Sequence, residues 1–114
     1  MIRLIQSLFF SRARPKNHVF ELATEFNGVP DAAKTNALTQ SVRMVFRNPP
    51  FHHIEIKTAG RTAVIKGIID VAVEADAIQI VANASFRVWN ECGLKPDATV
   101  VIGKTKRNMR HGIA

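Results

Sequence analysis

Seven basic side chains at the two ends of this chain are the residues whose type and spacing best fit a chemistry. Arg12, Arg14 and Lys16 lie near the start, and Lys104, Lys106, Arg107 and Arg110 near the finish. Clustered guanidinium and ammonium groups neutralise phosphates and release their counterions, and Thr105 and Asn108, interleaved with the second cluster, add neutral hydrogen-bonding groups. Residues 1–20 hold four bases and no acid, as do residues 98–114, while the stretch between holds eight bases against nine acids, so the formal charge of +7 belongs to the ends. Charge concentrated in this way builds a field that a scattered distribution does not. The seven are the candidate nucleic-acid-binding residues.

Other side chains with chemical potential lack partners in the sequence. His52 and His53 are adjacent, so a regular strand points them to opposite faces, and His18 and His111 lie far off, whereas a zinc site needs about four converging ligands. Cys92 is the single cysteine; it cannot form an internal disulfide and has no neighbouring cation to lower its thiol pKa, which fits a packed helix residue in a reducing compartment. Glu21, Glu25, Glu55, Glu74 and Asp76 read as a solvated strand face and helix-start charges, with no nucleophile and base paired beside them. Neither a Walker-type nor a dinucleotide glycine pattern occurs. The expectation is a protein that is not an enzyme, with no catalytic residue, no metal site and no cofactor.

The opening segment carries a second kind of information. Ile2, Leu4, Ile5, Leu8, Phe9 and Phe10 are large and apolar, and that many exposed side chains are unusual on a monomer, so Ile2, Ile5, Leu8 and Phe9 are candidate oligomer-interface residues. The same acid-free, Arg- and Ser-bearing start has the composition of a mitochondrial presequence, and its amphipathic character also suits a helix lying in a membrane interface. No apolar run approaches the ~20 residues that span a bilayer, so no membrane span is expected.

The elements that must hold these residues follow from periodicity. His18 to Phe26 alternates, with Phe20, Leu22 and Phe26 on one side, and Asn27-Gly28-Val29-Pro30 then turns the chain. From Asp31, placed to cap, Leu38, Val42, Val45 and Phe46 recur at helical spacing until Pro49-Pro50. Ile54 and Ile56 mark a second strand, and Thr62 to Ile69 a third that is apolar on both sides, with Gly67 marking a bulge or a close backbone approach. A second helix opens at Asp70 or Glu74, presents Ala77, Ile78, Val81, Ser85, Val88, Trp89 and Cys92, and stops at Gly93; Ala98 to Ile102 is the last strand. A competing reading draws Glu74 to Ala84 as a strand.

The order βαββαβ is the split-βαβ, ferredoxin-like plan of an α+β protein: an antiparallel sheet with two helices on one face. RNA-recognition folds share this order, but they stack bases on aromatics of the outer sheet face, and here Phe20 and Phe26 point to the core. Acylphosphatase-type enzymes share it too, with a phosphate-binding turn; the turn at Asn27 to Pro30 has one glycine and no arginine. At 114 residues, with 46% hydrophobic and 22% charged, the chain suits one α+β domain over 17–103 between a basic amphipathic segment, 1–16, and a basic tail, 104–114. In that plan the first and last strands are antiparallel neighbours, so the two basic clusters are expected to merge. The leading expectation is a non-catalytic basic module anchored on nucleic acid or within a nucleoprotein assembly. The alternative is a structural or interaction subunit, of a virion or another homo-oligomer. The compartment expected is the cytoplasm or such an assembly, with mitochondria the third possibility.

Overall fold

The structure is a computed structural model, and it describes residues 16–109. The elements run β1 (Lys16–Glu25), α1 (Ala32–Val45), β2 (Phe51–Ala59), β3 (Thr62–Val71), α2 (Glu74–Cys92), β4 (Asp97–Ile102) and β5 (Thr105–Met109). The fold is α+β: a five-stranded antiparallel sheet in the order β2-β3-β1-β4-β5, with two helices. The run Glu74 to Ala84 is helix, so the competing strand reading falls.

Each element forms for a local reason. Asp31 caps α1, its Oδ1 accepting a hydrogen bond from the Lys34 N–H at 2.8 Å. The helix ends at Val45, ahead of the two prolines. No side chain caps α2, but Glu74 and Asp76 sit in its first turn, where the helix dipole favours carboxylates. It stops at Gly93, which takes φ 68°, and the Leu94 N–H returns to the Trp89 carbonyl at 3.0 Å.

Alternation in the strands puts Phe20, Leu22 and Phe26 with Ala63, Ile65, Ile69, Val100 and Ile102 beneath the helices, which contribute Leu38, Val42, Phe46, Ile78, Val81 and Val88; all are buried. Phe20, Phe46 and Phe51 form one aromatic cluster, with ring centroids 4.7 to 6.0 Å apart. The strand expected to be apolar on both sides, β3, lies between β2 and β1, with Val64 and Ile68 half-buried on the face away from the helices.

Two departures from expectation have physical causes. The register of β2 against β3 shifts between His52 and Glu55, so that His53 and Ile54 together oppose Gly67. Without this bulge Phe51 and Ile54 would face opposite sides, since side chains alternate; the extra residue turns both toward the helices. His53 absorbs the kink at φ 52°, and the Ile54 side chain moves into the space that a Cβ on Gly67 would fill.

The second departure is β5. The split-βαβ plan has four strands and a tail after Gly103, but Gly103 at φ 58° reverses the chain and Thr105–Met109 pairs with β4 from Ile102 back to Ala98. The expected ferredoxin-like topology is therefore not met strand for strand, and much of the expected tail from 104 is part of the sheet. Alternation explains why the strand is apolar at only one position: it is an edge strand whose anchor is the buried Met109.

Candidate functional site

Four of the seven candidate cations fall in the described residues. Lys16 opens β1 opposite Val71 and is exposed. Because Ile102 pairs with Phe20, β1 overhangs the end of β4 by four residues, and the turn bearing Lys104 lies beside that overhang. Lys104 is also exposed, so these two ammonium groups share one end of the sheet.

The rest of the second cluster is distributed along β5. Lys106 pairs with Val101 on the open face, while Arg107 pairs with Val100 on the helix face, where its Nη1 donates to Gln79 Oε1 of α2 at 2.8 Å. Lys106 and Arg107 thus point to opposite sides, as neighbours in a strand must. Asn108 spends its side-chain oxygen within the sheet, accepting from the Thr99 hydroxyl at 3.0 Å. The chain leaves β5 at Met109 beside Ala98, at the end of the sheet away from Lys16. Of the described members of the two clusters, Lys16 and Lys104 share one end of the sheet, while Lys106 and Arg107 run along β5 away from it. Arg12, Arg14 and Arg110, and the oligomer candidates Ile2, Ile5, Leu8 and Phe9, lie outside the described residues.

The Lys16 end of the sheet holds two further cations. Arg43 lies in the last turn of α1 and Arg47 just past it, both exposed. They line a groove of about 510 Å³ between α1 and β2, whose floor includes Val42, Phe46, Phe51, Ile54 and Ile56 and whose remaining lining is His52, His53, Glu55 and Lys57. His52 pairs through Nε2 with Asp70 Oδ2, and His18 Nε2 lies 2.9 Å from the Val71 carbonyl oxygen. Neither pairing is legible in the sequence, because each joins residues that only the register against β3 brings together.

A second recess, of about 520 Å³, contains the Asn27 to Pro30 turn, with Lys34 and Lys95 added. Its helix N-terminus already holds the Asp31 carboxylate, so an anion there meets a like charge. Cys92 is half-buried between the helices beside Ser41 and Glu91. Burial pushes its thiol pKa up and Glu91 adds to the rise, against a hydrogen bond with Ser41, so it is mostly protonated at neutral pH. Among the described residues no group of three or more His, Cys, Asp or Glu is placed to hold a metal ion, and no helix is long and apolar enough to cross a membrane. No family model, curated protein or solved structure matches the chain.

Proposed function

We propose that this protein is a non-catalytic basic module that anchors on nucleic acid, or within a nucleoprotein assembly, through its Lys16 end and the β5 edge. The observation that carries the reading is the exposed pair Lys16 and Lys104 at one end of the sheet, neither in an ion pair among the described residues. Arg14 and Arg12 precede Lys16 by two and four residues, within about 7 and 14 Å of covalent reach. Lys106 continues the strip along the edge, about 7 Å beyond Lys104 at strand spacing. Cations held on a rigid element lose less freedom on docking than the same cations on a free tail. As to ancestry of form, the order β2-β3-β1-β4 supports reading the sheet as a ferredoxin-like core with one added edge strand.

The test is salt dependence of binding to duplex DNA. The logarithm of affinity should fall linearly with the logarithm of salt, by about 0.9 per phosphate neutralised. Lys16, Lys104 and Lys106 changed together to Gln should weaken binding to every sequence and flatten the slope by about 0.9 for each phosphate no longer neutralised. Lys34 and Lys95, at the other end, changed to Gln should leave the slope alone. A wild-type protein that binds no DNA at low salt, or a slope indifferent to the triple change, defeats the reading.

A second reading, a homo-oligomeric structural subunit, is favoured by one observation. Val19 is 70% exposed on the face away from the helices, paired with the half-buried Ile68, close to where β1 begins.

A further inference from the structure

We infer that the groove between α1 and β2 binds an extended acidic peptide, which adds to the sheet as a sixth strand along the outer edge of β2. The inference goes beyond the nucleic-acid reading and uses other residues. β2 is last in the strand order, so alternate N–H and C=O groups along its nine residues have no strand partner among the described residues. The two edges of the sheet are unlike. β5 is short, with bases at Lys106 and Arg107, which discourages addition; β2 is nearly twice as long and its outer edge runs beside a groove.

The floor of that groove is half-finished. Ile54 and Ile56 face the helices but are only half-buried, whereas Ile65, which pairs with Ile56 from β3, is at 1% exposure. A strand laid at ~4.8 Å from β2 would satisfy the free backbone groups and cover both isoleucines with its own alternate side chains. Its charge is fixed by the rim. Arg43, Arg47 and Lys57 line the groove against one carboxylate, Glu55, and none of the three cations is ion-paired among the described residues. The bulge at His53 breaks pairing only at the first part of β2, leaving Glu55 to Ala59 in continuous register with β3. The fitting partner therefore has apolar residues at the alternate positions that face Ile54 and Ile56, and carboxylates beyond them at the end near Arg43 and Arg47. The chain's own opening segment is apolar but carries Arg3, Arg12 and Arg14 and no acid, so the rim repels it.

The experiment titrates the full chain into a fluorescein-labelled decapeptide with four central residues alternating valine and threonine and three glutamates on each side, followed by anisotropy, beside the same peptide with lysine in place of glutamate. The glutamate peptide should bind at least tenfold more tightly. Arg43→Ala with Arg47→Ala, both at exposed positions and checked for folding by circular dichroism, should weaken it at least fivefold. N-methylation of one alternate set of the peptide's amides should abolish binding while methylation of the other set leaves it, and bound peptide should slow amide exchange at residues 54–58. Equal binding of the two peptides, indifference to the arginine changes, equal effects of both methylation sets, or protection confined to other strands would each overturn the proposal. So would a tenfold gain in peptide affinity on deleting residues 1–15, which would assign the groove to the chain itself. Loss of DNA binding in the Lys16, Lys104 and Lys106 variant with peptide binding intact separates this site from the nucleic-acid strip.

Discussion

Gly67 concentrates much of the residue-scale logic of this fold. It is buried in β3, and a Cβ there would sit 2.8 Å from Phe20 Cε2 and collide with Ile54 Cδ1. Phe20 cannot yield cheaply, since it is fully buried against Phe46 and Phe51. Gly67→Ala should therefore cost about 1 to 3 kcal/mol through overpacking, read as a lower urea midpoint with unchanged slope. A midpoint equal to wild type would mean that Ile54 is free to move and that the bulge is not what excludes the side chain. The glycine was legible in the sequence as a sign of a bulge or a close backbone approach; the structure puts the bulge opposite it and brings the side chains of Ile54 and Phe20 against it. What was not legible is that the bulge belongs to the opposite strand. The clue was a break of phase between Phe51 and the pair Ile54 and Ile56, and only pairing decides where the extra residue goes. Asp31 was the reverse case, because a capping carboxylate acts within its own turn and needs no tertiary context.

At the scale of elements, both helices and four strands announced themselves through periods that survive burial, while β5 did not. Thr105-Lys106-Arg107-Asn108-Met109 offers one apolar side chain in five residues, and an edge strand whose outward positions are solvated has no alternation to display. Its charges drew attention to phosphate chemistry and away from the sheet. The observation that separates strand from tail is Met109, at 2% exposure beside Ala98. Met109→Ala should cost about 2 to 4 kcal/mol, as for other buried large-to-small changes, and should lower the thermal midpoint of the full chain. A free tail would show no change. The candidate cations divide for the same reason: Lys16 and Lys104 share one end of the sheet because β1 and β4 are antiparallel neighbours, whereas Arg107 goes to Gln79 because a strand forces adjacent residues apart.

For the whole molecule, the two readings of function make opposite demands on salt. A net charge of +7 opposes self-association at low ionic strength, and screening relieves that repulsion once the Debye length falls to about 10 Å near 0.1 M. Nucleic-acid docking weakens under the same change, because it is driven by counterion release. The open sheet face carries both possibilities. Across it Glu55, Lys66 and Glu21 alternate in sign along one paired row that continues through Val101 to Lys106, next to exposed Val19. If copies join through the apolar opening segment, Ile2, Ile5, Leu8 and Phe9 supply the area, and the mass by light scattering should rise or hold as salt increases. Deleting residues 2–10 should then return the mass to that of a monomer. The thermal midpoint should shift by no more than a few degrees, because every buried residue of the described core lies beyond position 16. A monomeric mass in the intact chain at both salts would remove the oligomer reading and leave the Lys16 and Lys104 strip to account for the charge.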